Sequence, residues 1–521
     1  MGGSILGPSP AEGRVDRTSK PALSLGASAR SSLLWGGGFT ILRDVVQLVS
    51  MLILVRLLAP ADYGRMALAR TIVELLAVGS FGTLVTHALQ SRNPAEIDWQ
   101  AHFTAAVVIN SVLALLTLGL AWLLSFTSRY SGVALPLAAL SLLFIVDIPG
   151  KLRHQMVQVA HDWRRFRILL ISGSLLGAGA GVLIAMLGGG VWALVVQPIL
   201  FGLPASLDLV LFSKWRPDWS WSWLRYRETA RFAAARIGAG ALLHGRRTIE
   251  ESLLAGSYDF GALGVFTRSI RLATLSAGRI GSVAMISLYP VITRADQQSV
   301  QFQRYAGLVL RGAVWTTVPA AMFLALSAAD IASVLYGPRW SAVIPLLPIA
   351  AAAVSFGGIA SVVNSLLLAK DEIKACLFID LVSALLAVAL ALWLVPVGME
   401  IYLAALVAHG LIILGLTITV LVATGGINRS AILSSLLPPV VAGGVGAVTI
   451  LSVRAAALGS SEILVLRLGL ELILFSIVYL AVLRFAFQRP LRELLDVAPG
   501  GDQLGAVLAL VPRTIRRGGR P

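Results

Sequence analysis

The chain has 521 residues, 57% hydrophobic and 13% charged, with a formal net charge of +16. That composition exceeds what one water-soluble core can hide, so it excludes a soluble globular protein and makes lipid the solvent. The basic residues sit mainly in short connections, at the two ends and on a few helices, so their excess reads as membrane topology and not as a nucleic-acid surface.

Residues 1–30 are polar and rich in Gly, Ser and Arg, which predicts a disordered cytoplasmic tail. The apolar run behind them is too long for a signal-peptide core and reads as a retained first helix. Fourteen stretches near the roughly 20 residues that cross a bilayer then follow. They cover 31–55, 66–90, 101–126, 132–149, 168–188, 191–212, 232–254, 264–291, 305–328, 342–368, 375–396, 401–423, 432–452 and 463–486. The short alternating segments of a β-barrel are absent, so the fold class expected is an all-α integral membrane protein. Cys376 is the sole cysteine, which excludes an intrachain disulfide and a cysteine metal cluster.

An even number of spans puts both ends on one side. Connections on that side hold about 16 Lys/Arg, among them Lys151, Arg153, Arg164, Arg165, Arg167, Lys214, Arg216, Arg225 and Arg227, against about 5 opposite. Both termini are therefore expected in the cytoplasm, and Arg513, Arg516, Arg517 and Arg520 near the C-terminus suit an anionic leaflet.

The chain also repeats itself. Leu57-Leu58-Ala59-Pro60-Ala61-Asp62-Tyr63-Gly64, after the first span, matches Leu253-Leu254-Ala255-Gly256-Ser257-Tyr258-Asp259-Phe260-Gly261, after the seventh; both are read as short external loops. Val133 to Leu137 matches Ala342 to Leu346, and Val159-Ala160-His161-Asp162 matches Leu368-Ala369-Lys370-Asp371, at spacings of about 209. Gly190 to Leu194 likewise echoes Glu400 to Ala404. Six spans per repeat give two halves of like orientation about an axis along the membrane normal, the layout of an alternating-access transporter. The organisation expected is a first lobe over 31–212, a basic linker over 213–231 and a second lobe over 232–423. Two further helices over 424–486 and a basic tail over 487–521 complete it.

These residues resemble the polysaccharide-transporter, or Wzx-like flippase, branch of the multidrug/oligosaccharidyl-lipid/polysaccharide (MOP) exporter superfamily. Arg56 through Gly64 looks like that family's first external loop. Gly256 through Phe266 is similar to its mid-chain Gly…Leu-Gly-x-Tyr segment, with Phe266 in place of Tyr. Leu335-Tyr336-Gly337-Pro338-Arg339-Trp340 looks like the Gly-x-x-Trp step before its tenth helix. The resemblance spans residues 31–425. It implies a V-shaped, two-lobe, fourteen-helix transporter of the bacterial inner membrane, without enzymatic activity. Its cargo would be an undecaprenyl-diphosphate-linked glycan, and polysaccharide polymerase and glycosyltransferases would be its partners.

A lipid diphosphate entering a low-dielectric slab needs cations in place of water. Arg236, His244 and Arg247 fall near one face of the seventh span, with Arg246 adjacent; Arg268, Arg271 and Arg279 share a face of the eighth. Arg43 stands on the first span, with Gln47 one turn on. The diphosphate-binding set is therefore Arg43, Arg236, Arg246, Arg247, Arg271 and Arg279, because a guanidinium stays charged and grips phosphate oxygens through two donors. Arg268, near the external end, is the weakest member of its face. Pairing of these cations with nearby acids is the plain structural alternative.

Asp44, Glu74, Glu250, Glu251 and Asp380 are the candidates for binding a coupling H+ or Na+. No other cofactor and no resident metal is expected. Gly173, Gly177 and Gly181 recur every fourth residue and predict close helix packing, since no strand precedes them as a nucleotide loop would require. A membrane enzyme such as a polymerase would need a catalytic loop, and no connection exceeds about twenty residues. A drug/cation antiporter would favour carboxylates over arginines in its cavity.

Overall fold

The computed structural model describes residues 25–80, 97–219, 223–278, 299–456 and 464–496. Every regular element among them is helical. The first half comprises α1 (Leu25–Leu57), α2 (Pro60–Ala77), α3 (Trp99–Ser125), α4 (Ser131–Ser141), α5 (Leu143–Val159), α6 (Trp163–Met186), α7 (Trp192–Phe201) and α8 (Leu203–Phe212). The second comprises α9 (Trp223–Ser257), α10 (Phe260–Ala273, extended by a π turn over Thr274–Gly278), α11 (Val300–Leu326), α12 (Ala328–Leu335), α13 (Val343–Ala369), α14 (Ile373–Leu394) and α15 (Met399–Ala423). α16 (Arg429–Ala456), α17 (Leu464–Ala486) and a short α18 (Gln488–Leu495) complete the described chain.

Among the described residues, ten helical segments are long and apolar enough to cross a membrane. They correspond to expected spans three to six and nine to fourteen. The elements at spans one, two, seven and eight fall outside that group. α2 holds Asp62, Arg65, Arg70 and Glu74, α9 is charged along its length, and α10 is short within the described residues.

Short polar residues set where the helices begin. Asp98, Asp162, Asp259 and Ser299 accept backbone N–H groups at the starts of α3, α6, α10 and α11, at 3.0, 3.1, 2.6 and 3.2 Å. Pro60 opens α2, where its missing N–H costs nothing, and Asp62 accepts the Ala59 N–H at 3.2 Å. The Pro60–Gly64 and Phe260–Gly264 stretches are therefore first helical turns and not the loops expected from sequence, because capping and Pro at N1 favour a helix start.

The packing repeats as the sequence does. Span one lies on five (α1 on α6), two on four (α2 on α4), three on four (α3 on α4 and α5), four on six (α5 on α8) and five on six (α6 on α7). In the second half α9 lies on α14, α10 on α13, α11 on α13, α13 on α15 and α14 on α15, which is the same scheme. The match extends to the backbone: His161 (φ 55°) and Asp371 (φ 65°), in equivalent turns, are the two non-glycine residues with positive φ among the described ones. Two pseudo-symmetric lobes result.

Gly173, Gly177 and Gly181 lie against the Phe201 and Gln197 carbonyls and the Gln197 side chain, where a methyl group would collide, so the small-residue stripe brings α6 onto α7. α16 packs on α11 and α17 on α16, fixed to the second lobe by Trp315 Nε1 donating to the Ser435 carbonyl and Tyr479 Oη to that of Trp315. Arg454 adds ion pairs to Asp330 and Glu471.

Three boundaries depart from expectation at the end of the bundle that carries α18. Arg153, expected in a connection, belongs to α5, whose span runs on to Val159 with a break at Leu142. Its guanidinium and that of Arg165 both grip the buried Asp208 of α8, at 2.5 and 2.7 Å, so pairing draws these cations into the fold. α9 begins at Trp223 and takes up Arg225 and Arg227 of the expected linker. α18, inside the expected tail, is held by Glu493 pairing with the buried Arg311 of α11 at 2.8 Å.

Candidate functional site

The two lobes meet through α2, which packs on both α9 and α10. α2 and α10 cross at their first turns, and the crossing is reciprocal: a Cβ at Gly64 would strike the Phe260 carbonyl, and one at Gly264 the Pro60 carbonyl. Only glycine permits that approach. Aromatic residues surround it. Trp340, fully enclosed, donates its indole N–H to the Val55 carbonyl of α1 at 2.8 Å and stands edge-on to Tyr63 with ring centroids 5.3 Å apart. The Arg268 guanidinium lies 4.2 Å over the Tyr63 ring. Arg56 donates to the Val334 carbonyl, Arg129 to that of Tyr258 at 3.2 Å and Tyr130 Oη to that of Ser252 at 3.2 Å. The glycine crossing, Trp340 and these hydrogen bonds close one end of the lobe interface. The Asp-Tyr-Gly and Gly-x-x-Trp motifs both serve it.

Further along α2 and α9 toward the other end lies a charged cluster. Arg70 pairs with Glu74 at 2.6 Å, and across the lobe boundary Glu74 lies 3.7 Å from Arg247 and 3.8 Å from His244. Arg247 also pairs with Glu251, one turn on, at 2.8 Å. The side chains of Arg70 and Arg247 remain 67% and 50% exposed whereas that of Glu251 is 3% exposed. Because the Glu74 contacts cross from α2 to α9, those guanidinium groups stand where the two lobes meet. Thr248 Oγ1, donating to the Thr71 carbonyl at 3.2 Å, ties the same two helices together.

The remaining sequence candidates divide. Arg246 is half-buried and its charge reaches Tyr402 and His409 of α15. Arg271 is exposed on α10, within electrostatic reach of Tyr336. Arg43 and Asp44 pair with each other on α1 at 3.1 Å. Glu250, buried in the second lobe, accepts the Tyr402 hydroxyl at 2.8 Å, pointing away from neighbouring Glu251 as a turn of about 100° per residue requires. Asp380 is exposed on α14 and accepts the Asn364 amide at 3.0 Å. The Arg236 side chain and all of Arg279 lie outside the described residues. Arg70 was not legible as a candidate; its signal is a charge six positions past Gly64, inside a helix that turns out to be central.

A family described as "Polysaccharide biosynthesis protein" matches residues 53–345, more than half of the chain. The chain belongs to this family. The match contains the Asp-Tyr-Gly and Gly-x-x-Trp motifs and the α2–α9 cluster, and it bears out the resemblance to the Wzx-like branch. Succinoglycan biosynthesis transport protein ExoT of Rhizobium meliloti (strain 1021) is 27% identical over 309 residues, 58% of this chain and 61% of ExoT, so less than two thirds of that relative is spanned. Lipopolysaccharide biosynthesis protein WzxC of Escherichia coli (strain K12) is 19% identical over 67% of this chain and 72% of its own. Among solved structures, the lipid II flippase MurJ in an inward closed conformation matches with a TM-score of 0.68 at 12% identity, covering 88% of this chain and 99% of that one. An inward-facing multidrug resistance MATE family transporter of the MOP superfamily matches with a TM-score of 0.50 at 16% identity, covering 74% and 95%. At such identities these two likenesses speak for the fold alone, a bundle of helices long and apolar enough to cross a membrane.

Proposed function

We propose that this polysaccharide-biosynthesis protein is a flippase. It would move undecaprenyl-diphosphate-linked oligosaccharide from the cytoplasmic to the periplasmic leaflet of the bacterial inner membrane by alternating access. The observation that carries the reading is the pair of exposed arginines, Arg70 and Arg247, standing where two lobes, closed at one end, meet. Cations so placed suit a diphosphate that must leave water. Arg246 and Arg271 extend the set, with Arg43, Arg236 and Arg279 as further members. The sealed end is periplasmic in this reading and both termini cytoplasmic, as the distribution of basic residues favours. A proton or Na+ held by Glu74, Glu250, Glu251, Asp44 or Asp380 would drive the cycle, and polymerase and glycosyltransferases would take and supply the glycan.

The test is reconstitution in proteoliposomes with a labelled undecaprenyl-diphosphate oligosaccharide, reading its accessibility from each leaflet with and without an ion gradient. Arg70→Gln, Arg246→Gln and Arg271→Gln should each slow movement by about tenfold or more, the worth of one charge-assisted phosphate contact. Wild-type rates in all three refute the cationic path, and movement of cationic drugs in place of the lipid refutes the flippase reading in favour of an antiporter.

A further inference from the structure

Arg268 stands out from the other enclosed arginines. Arg153, Arg165, Arg311 and Arg454 each meet a carboxylate. The Arg268 guanidinium meets none among the described residues: it rests on the Tyr63 ring, and its Nε is shut off from solvent without an acceptor. Its carbonyl receives the Tyr336 hydroxyl at 3.4 Å. Tyr63 belongs to the first lobe and Arg268, with Tyr336, to the second, so the Tyr63 ring covers the cation only while that end is closed.

We propose that Arg268 is an opening spring built into the seal, a positioning residue that holds the sealed state close in free energy to the open one. Closure brings Tyr63 and the Val55 carbonyl of the first lobe onto Trp340 of the second, contacts that favour the sealed state. The same closure strips water from the Arg268 Nε and brings no carboxylate to it among the described residues, which opposes closure. Opening returns that water. A seal of aromatics alone would hold one state and stop the cycle, whereas an unneutralised cation within it keeps both states populated. The inference concerns the seal and holds whatever the cargo.

The two components predict opposite effects. In a Cys376→Ser background, nitroxide labels at Ser128→Cys and Val397→Cys, both exposed connections at the sealed end on different lobes, report the opening by double electron–electron resonance in nanodiscs. Trp340→Ala should raise the long-distance population several-fold. Arg268→Met, close in length but uncharged, should lower it below wild type, and Arg268→Met/Trp340→Ala should fall back from Trp340→Ala toward wild type. An Arg268→Met distribution more open than wild type, an Arg268→Met/Trp340→Ala distribution as open as that of Trp340→Ala or more so, or an Arg268→Met protein that no longer folds overturns the proposal, because in each case the cation does not act against closure. The double variant settles the sign where the wild-type open fraction is too small to fall. None of these readings depends on transport, so they stand apart from the flippase test.

Discussion

Replacing Arg247 with Met tests the charged cluster. Arg247 bridges Glu251 on its own helix at 2.8 Å and approaches Glu74 of the other lobe at 3.7 Å. The Glu251 side chain is 3% exposed, and its Oε2 already lacks a partner. Breaking a buried pair costs about 3–5 kcal/mol, most of it the penalty on the charge left behind. Here half of Arg247 is in contact with water, which screens the pair, so the expected loss is about 2 kcal/mol. Heating the purified protein in detergent should show an unfolding midpoint a few degrees lower. Arg247→Met/Glu251→Gln removes the stranded charge and should recover more than half of that loss, while Glu74→Gln/Arg247→Met, which leaves Glu251 alone, should recover little. Transport should stay impaired in all three, since the guanidinium is absent from each. A double variant Arg247→Met/Glu251→Gln no more stable than Arg247→Met would refute the reasoning, because the cost would then not come from Glu251.

Gly177→Leu should lower the yield of folded protein and cost upward of about 3 kcal/mol, since the new side chain meets the Gln197 backbone of α7; size-exclusion profiles after membrane extraction check it. Asp208→Asn leaves Arg153 and Arg165 without their shared carboxylate, with Arg153 the more enclosed, and should destabilise by about 3 kcal/mol; Asp208→Glu should restore part of it in the same thermal assay.

The arrangement of the spans was legible because each must satisfy its backbone internally and show lipid an apolar face, so that span length and composition are written locally. The repeat was legible for a related reason: two halves packing by the same scheme keep the residues that packing demands, such as the turns at His161 and Asp371. Spans two, seven and eight were harder to bound, because helices that line a polar interface carry charges and lose the lipid signature. The same ambiguity hid Arg70 and placed Arg153 in a connection, since a charge on a helix reads alike whether it snorkels, pairs or lines a cavity.

Sequence by itself determined an all-helical membrane protein, its duplicated plan and its family. Tertiary structure decided which charges neutralise one another. Glu74 meets Arg247 only because α2 crosses onto α9, Glu250 and Glu251 part company because adjacent helical positions face different neighbours, and Arg268 rests on an aromatic face with no carboxylate among the described residues. It also decided that the Asp-Tyr-Gly and Gly-x-x-Trp motifs, more than 270 residues apart in the chain, close one seal. Lipid selects for composition, which is local, whereas a counter-charge is a matter of a few ångströms in space, and no spacing along the chain fixes that distance.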